Sequence, residues 1–429
     1  MSERGYDVVV AGGGPSGFAT ALASARSGAR TLLVERYGYL GGMASTGLPF
    51  NIFSDSSGQR VFGIPSEFAN RARKLGFTED ELSAPRWVVI DPEGVKFIFQ
   101  EMLRGAGTEL LLHSWVSGAE TSGDRIEALN VINKGGARSI YGKVFVDCTG
   151  DADVAALSGV PFDVGRGDGK TMGMSLIFSL ANVDTEAFSK ASVWGRWPEI
   201  VRERSIKIPQ EIKEKTFLDE KRFMLPFMVN PRRPGEVIFN WVMMILDLNP
   251  LDPDDLTKAE IEARRLIHLL FNEVIRPHLP GCERSYISRT AAQLGVRESR
   301  RIRGLYTLTE EDCRSRRDFD DTIALCTCSF DLHASSRGDD KPGGYERGFK
   351  GTMRIPYRIM VPADGPENLL VTGRSVSADR MAMSAIRVMV PCMSMGEAAG
   401  LAAATAASNG LHVKDVDIGQ LSSKLDIRL

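Results

Sequence analysis

Tyr6-Asp-Val-Val-Val-Ala-Gly-Gly-Gly-Pro-Ser-Gly17 is followed by the small, apolar run Phe18 to Ala25, by Thr31-Leu-Leu-Val-Glu-Arg36, and by Gly41-Gly-Met43. An apolar strand, a glycine turn, a helix and a second strand ending in an acid make up the unit that holds a dinucleotide. Gly12, Gly14 and Gly17 satisfy the G-x-G-x-x-G rule between Val10 and Phe18. Gly12 permits the sharp turn, Gly14 leaves room for a pyrophosphate beside the backbone, and Gly17 lets the helix pack closely on the strand. Phosphates then meet unpaired N–H groups at the positive end of the helix. Glu35 is placed to accept hydrogen bonds from a ribose, and its charge disfavours a 2′-phosphate. A lone glycine motif closes many βα units that bind nothing; here strand, helix and acid agree.

The chain has 429 residues, 43% hydrophobic and 25% charged, with a formal net charge of −2. Such a composition suits a folded protein of two or three domains and excludes a broad basic surface for nucleic acid. The first strand starts near Tyr6, which leaves no room for a signal peptide, and no apolar run approaches the roughly 20 residues that span a bilayer. A cytoplasmic location follows as the expectation. The six cysteines lack zinc or iron–sulfur spacing. Cys326 and Cys328 fall in the apolar run Thr322 to Phe330, where alternation places both on one face of a strand, as small core residues or a redox pair.

Beyond the first unit, Gly41 to Ser57 reads as an ordered loop, Asp91 to Arg104 as a helix and Glu109 to His113 as a third parallel strand. Trp115 to Glu120, Ile126 to Asn133 and Arg138 to Tyr141 read as a β-meander, and Val144 to Cys148 as a strand ending at Thr149-Gly150-Asp151. Met174 to Leu180 and Val237 to Leu246 are predicted strands. Thr257 to Arg276 is predicted helical, opened by a Thr257-x-x-Glu260 capping box. Near the C terminus, Asn368 to Arg374 is a strand running into a glycine turn. Ser384 to Gly400 then leads into a helix of small residues, with Pro391 in its first turn.

The first turn alone suits NAD or FAD, but Gly41-Gly42 after Glu35, the strand end at Thr149-Gly150 and the distant Gly373-Arg374 resemble the glutathione-reductase-like superfamily of FAD proteins. Within it the chain is similar to bacterial FAD-dependent oxidoreductases, themselves akin to thiazole-biosynthetic and heterodisulfide-reductase flavoproteins. The resemblance runs from Tyr6 to about Ala407 and is patchy between Asp184 and Pro280. It rests on Glu35-Arg-Tyr-Gly-Tyr-Leu-Gly-Gly-Met43, Asp147-Cys-Thr-Gly-Asp-Ala-Asp-Val-Ala155, Arg297-Glu-Ser-Arg-Arg-Ile-Arg-Gly304, Ser329-Phe-Asp-Leu-His333, Arg354-Ile-Pro-Tyr-Arg358 and Ser384 to Gly400.

The resemblance implies an α/β fold, a Rossmann-like FAD-binding domain with a β-meander plus an inserted α+β substrate domain. Residues 1–160 and 346–429 form the first domain and 161–345 the second. It places Gly12, Gly14, Pro15, Ser16 and Gly17 on the pyrophosphate, Glu35 on the ribose, Arg36 beside the adenine and Val116 with its backbone on the adenine. Gly41, Gly42 and Met43 would line the phosphate and ribityl chain, Thr149 and Gly150 would close the central strand, and Gly373 and Arg374 would cover the pyrophosphate. The turn from Ser384 through Val388 to Val390 would seat the flavin ring.

Flavin carries the redox chemistry, so few catalytic side chains are needed. His333 with Asp331 suits a general base, the alternative being a surface-loop histidine. Arg387, next to the flavin seat, would stabilise reduced flavin or clamp an anion. Arg297, Arg300, Arg301 and Arg303 would anchor an acidic substrate or form structural ion pairs with nearby glutamates. Arg354, Tyr357 and Arg358 are pocket candidates, and Cys392 is a cofactor contact or a packed thiol. The expected activity is oxidation of a small polar substrate at a hydroxyl- or amine-bearing carbon, with a hydride passing to flavin N5. An external acceptor, oxygen or another, would then take the electrons. The alternatives are an electron-transfer subunit of a larger redox complex and a non-redox, thiazole-type scaffold. Neither nucleic acid nor a membrane is expected as a partner, and homo-oligomerisation stays open.

Overall fold

The computed structural model describes residues 5–46, 62–78, 90–191, 193–219, 227–229, 233–339, 343–345 and 351–425; the predicted loop beyond Thr46, residues 47–57, lies outside them. Strand Tyr6–Ala11 runs parallel between Thr31–Val34 and Gly136–Asp147. Glu109–Leu111 extends the sheet beyond Thr31–Val34, and Leu369–Val371 pairs with the far side of Gly136–Asp147. Both faces of Tyr6–Ala11 are buried, Val8 and Val10 towards the helices and Val9 and Ala11 towards a second apolar cluster, as a central parallel strand requires.

The meander is present as Trp115–Ser122, Arg125–Asn133 and Gly136–Asp147. One prediction changes here. The predicted strands at Arg138 to Tyr141 and Val144 to Cys148 merge into one continuous strand ending at Asp147, antiparallel to Arg125–Asn133 as far as Tyr141 and parallel to Tyr6–Ala11 from Gly142. Gly142, between the two predicted runs, lets two strands approach: a Cβ there would lie 2.8 Å from Val9 Cγ2.

Helix Pro15–Arg26 packs along the C-terminal helix Met389–Asn409. A Cβ on Gly396 would fall 2.3 Å from the Ser16 carbonyl oxygen, and one on Gly400 2.2 Å from that of Thr20. Both glycines therefore let the two backbones meet. The chain bends by 89° between helix Arg380–Ile386 and helix Met389–Asn409. Among the described residues no single helix is long and apolar enough to cross a bilayer.

A second antiparallel sheet orders Tyr286–Thr290, Met174–Ala181, Val237–Ile245 and Phe227–Val229. Helix Pro253–Leu270 contributes Ala263, Leu266 and Ile267 to the apolar cluster this sheet shares. The helix starts four residues before the predicted capping box, because Asp252 caps it, accepting from the N–H groups of Asp254 and Asp255 with Pro253 in the first turn. Thr257 instead donates to the Pro253 carbonyl, and Glu260 pairs with Arg264.

The expected unit 161–345 divides between two cores. Residues from Met174 to Leu294 build their own cluster, while Leu308, Cys313, Ile323 and Phe330 join the cluster of the two packed helices. The run from Thr322 also ends early as a strand, at Cys326, so Cys328 lies beyond it although both thiols are buried. All six cysteines are buried and free.

Candidate functional site

The glycine turn is built as its sequence demands. Gly12 has φ of +100°, and a Cβ there would meet the Cys148 carbonyl oxygen at 2.5 Å. A Cβ on Gly17 would lie 1.8 Å from the Gly12 carbonyl oxygen. Gly14 differs: its φ of −70° is open to any residue, and a Cβ would find nothing nearer than Gly42 Cα at 3.9 Å. Among the described residues no contact requires glycine there, so the space beside it fits a ligand that runs past the backbone. Gly41, with φ of +112°, donates its N–H to the Gly13 carbonyl at 2.8 Å, which sets the Gly41-Gly42-Met43 turn against the first glycine turn. Pro15 occupies the first helical turn, and Ser16 Oγ donates to Thr372 Oγ1 at 3.1 Å, so the turn at Gly373 closes on the same place.

Glu35 is buried and accepts from Gly13 N–H at 2.6 Å through one carboxylate oxygen and from Tyr37 N–H at 2.9 Å through the other. Burial raises its carboxyl above the ordinary value despite these donors. Each oxygen keeps a second lone pair, which is what a ribose hydroxyl needs. The Arg36 guanidinium lies 4.9 Å from the Tyr37 ring centre and 5.1 Å from that of Trp115. Val116 follows on the strand that crosses beside Glu35, where Ser114 N–H donates to the Glu35 carbonyl. Sequence reasoning missed Gln293, a polar residue from the second unit: its amide oxygen accepts from Arg36 at 3.0 Å and from the Tyr37 hydroxyl, and its amide nitrogen faces Met43 Sδ at 3.5 Å.

At the end of the long central strand, Asp147 accepts from Thr149 N–H and Oγ–H and from Ala155 N–H. Full burial pushes its carboxyl up to about 6. Thr149 thus spends its hydroxyl on shaping the turn. A Cβ on Gly150, which has φ of +81°, would lie 3.1 Å from Arg374 Nε. Arg374 pairs with Asp151 at 2.6 Å and donates to Ser299 Oγ at 2.7 Å. Asp151 and Ser299 went unassigned in sequence, although both sit in the motifs quoted above.

His333, Asp331 and Arg387 come together beside the 89° bend. His333 Nε2 lies 3.0 Å from Asp331 Oδ1, and Arg387 Nη2 donates to Asp331 Oδ2 and to its carbonyl, each at 2.9 Å. Ser384 Oγ accepts from Asp331 N–H at 3.2 Å and donates to the Met381 carbonyl, which ties this strand to helix Arg380–Ile386. Val388 precedes the long helix as its N-cap. His333 is buried rather than in a surface loop. Burial, reinforced by Arg297 and Arg387, lowers the imidazole to about 4, so it is neutral near pH 7. Burial alone would raise Asp331, but His333, Arg387 and Arg297 together hold it well below the usual carboxylate range. With Nε2–H on that carboxylate, Nδ1 is the basic nitrogen of the neutral ring.

Other candidates serve the fold. Arg301 and Arg380 bind the fully buried Glu298 carboxylate, Arg300 pairs with Asp153, and Arg303 with Asp163. Arg297 departs from that set by donating to the Gly173 carbonyl and Ser175 Oγ, both at 2.8 Å. Tyr357 and Arg358 have partners within the fold: the Tyr357 hydroxyl donates to the Val413 carbonyl, and Arg358 grips Asp321. Arg354 pairs with Asp318. Cys392 Sγ lies 3.2 Å from the Arg387 carbonyl, a packed thiol whose burial raises it to about 12. His412, given no partner in sequence, faces Glu367 at 3.0 Å.

Residues 7–425 match the family model described as FAD dependent oxidoreductase. Mitochondrial dihydrolipoyl dehydrogenase of Pisum sativum is 31% identical over 168 residues, 37% of this chain and 30% of that protein. Leghemoglobin reductase of Vigna unguiculata is 28% identical over 206 residues, 44% of this chain and 36% of that protein. The chain therefore spans well under half the length of the curated relatives it matches. Among solved structures, the flavin-dependent brominase Bmp2 is 13% identical, covering 96% of this chain and 81% of its own, with a TM-score of 0.49. THI4 of Thermovibrio ammonificans is 19% identical over 37% of this chain and 65% of its own, with a TM-score of 0.29.

Proposed function

Because the chain belongs to the FAD-dependent oxidoreductase family, we propose that it oxidises a small polar substrate at a carbon bearing a hydroxyl or an amine, with His333 taking the proton. FAD, when bound, supplies the two-electron acceptor for the substrate C–H. The glycine turns at Gly12–Gly17 and Gly41–Gly42, together with Gly373 and Arg374, would hold its pyrophosphate, and Glu35 its ribose. The bend between Ser384 and Val388 would seat its ring. N–H groups at the start of helix Met389–Asn409 would then favour negative charge on that ring.

The observation that carries the reading is the buried, neutral His333 fixed through Asp331 to Arg387. A general base must be unprotonated, oriented and beside the reacting carbon. Asp331 fixes the tautomer, Arg387 fixes Asp331, and burial keeps bulk water from the ring.

The test is the anaerobic reduction rate of the bound flavin by an identified substrate in a His333→Ala variant of unchanged FAD content. The account expects a rate about a hundredfold below the parent or lower, the usual contribution of general base catalysis. Reduction at the parent rate removes His333 from the mechanism.

A further inference from the structure

Gln293 belongs to the second core by its backbone, yet among the described residues its side chain bonds only to residues of the first. The turn 291–295 that carries it follows strand Tyr286–Thr290 and is held on both sides. Ala291 N–H donates to the Ile177 carbonyl at 2.7 Å and Gly295 N–H to that of Ser175 at 2.8 Å, both on the second sheet. Leu294 N–H donates at 2.7 Å to Glu260 Oε1 on helix Pro253–Leu270. On the cofactor side, Ala292 N–H donates to the Thr46 carbonyl at 3.1 Å, and a Cβ on Gly295 would lie 3.3 Å from Met43 Cε. The turn is a fixed strap from the second core, laid against the segment that begins with Gly41-Gly42-Met43.

The Gln293 amide has one orientation. A guanidinium offers no acceptor, so the amide oxygen must face Arg36, and it accepts from the Tyr37 hydroxyl as well. That turns the NH2 group towards Met43, whose sulfur at 3.5 Å is a weak acceptor already approached by the Thr46 hydroxyl. The oxygen is thus fully engaged, while the NH2 donors meet only a thioether among the described residues. Met43 directly follows Gly42, whose Cα faces Gly14 across the space assigned to the pyrophosphate.

We infer that Gln293 is a cofactor-binding residue supplied by the second core: its NH2 group donates to an oxygen of the ribose–pyrophosphate chain of FAD, while its carbonyl holds Arg36 and Tyr37 beside the adenosine. The inference rests on the cofactor placement given above and is independent of His333. Because the strap is held within the protein itself, the amide gives up little freedom on binding, which favours affinity.

The experiment dilutes the holoprotein serially and follows FAD release by the recovery of flavin fluorescence, which gives a dissociation constant without turnover. Gln293→Met keeps the length of the side chain and loses both the donors and the acceptor. It should weaken FAD binding by about three- to tenfold, the loss expected for one hydrogen bond. Gln293→Glu separates the two roles, since it keeps an acceptor for Arg36 and Tyr37 but has no NH2 group. It should weaken FAD at least as much as Gln293→Met; a residue that acted only by holding Arg36 would instead bind FAD as well as the parent, or better, with glutamate in its place. Parental affinity in either Gln293 variant overturns the inference. Gly14→Ala is the reference: parental affinity there overturns the cofactor placement and the inference with it, whereas a weakened Gly14→Ala beside a parental Gln293→Met overturns the inference alone.

Discussion

Gly14 and Gly17 belong to one motif, but the structure separates their jobs. In Gly17→Ala the new methyl would fall 1.8 Å from the Gly12 carbonyl oxygen and 2.9 Å from its carbon, both backbone atoms that cannot swing aside. Overpacking of this kind costs about 3 kcal/mol or more, so the apoprotein itself should be weakened. In Gly14→Ala the methyl finds 3.9 Å of clearance on a backbone already at φ of −70°. Alanine caps a helix less well than glycine, by about 1 kcal/mol, and restricts the unfolded chain by a comparable amount, so apoprotein stability should move by less than about 1 kcal/mol. The same methyl occupies the space assigned to the pyrophosphate. An overpacking cost of about 1–3 kcal/mol then appears in binding, as a loss of FAD affinity of roughly five- to a hundredfold. Denaturant unfolding of both apoproteins and titration with FAD by flavin fluorescence quenching measure the two effects. If Gly14→Ala unfolds as easily as Gly17→Ala, or binds FAD like the parent, the division of labour drawn from the clearances is wrong.

The helix pair gives a second prediction: Gly400→Ala places a methyl 2.2 Å from the Thr20 carbonyl and should cost about 3 kcal/mol in denaturant unfolding, whereas Gly410→Ala, at an open helix end with φ of +65°, should cost about 1 kcal/mol through the backbone alone. His333 predicts a pH dependence. Its folded-state value of about 4 lies below the ordinary 6.5, so the unfolded chain binds the proton more readily. Stability is therefore complete above about pH 6.5 and falls by about 3 kcal/mol towards pH 4, a slope that His333→Gln should remove when the two proteins are unfolded by urea across that range. Asp147 works in the opposite sense: raised to about 6, it costs stability as pH climbs from 3.8 through 6, so Asp147→Asn should flatten that rise in cost even though the loss of one acceptor lowers stability throughout. Finally, Arg374→Ala leaves the half-buried Asp151 carboxylate without its cation and should cost about 1–3 kcal/mol, measured on the apoprotein, with Arg374→Lys restoring part of it.

The parts of the fold legible in the sequence were those governed by local physics. The strand, glycine turn, helix and acid of the first forty residues need only period, turn chemistry and spacing, and the small-residue helix from Gly396 announced close packing without naming Thr20 or Ser16 as its partners. The strand Gly136–Asp147 was divided into two runs because its pairing changes at Gly142 from the meander to Tyr6–Ala11, which no local pattern shows. Thr257 and Glu260 misled because two caps competed and Asp252, with a proline behind it, captured the helix start. At the site, Asp331 and His333 were readable as an Asp-x-His at a strand end, but their burial was not. It depends on distant residues that the fold brings near, among them Arg387 after a separate helix, bound to Asp331, and Arg297, near enough to depress the imidazole. The partners of Tyr357 and Arg358, Val413 and Asp321, were not legible because only the fold joins them. Gln293 carries no local signal beyond being a polar residue between Ala292 and Leu294.

The most direct test of the account is the visible spectrum of the purified protein, followed without oxygen as small hydroxy and amino compounds are added. The account predicts flavin bands that bleach on addition of a small molecule, and that bleach at least about a hundredfold more slowly in His333→Ala. Flavin bands that remain oxidised with every small molecule and respond only to a partner protein would contradict it.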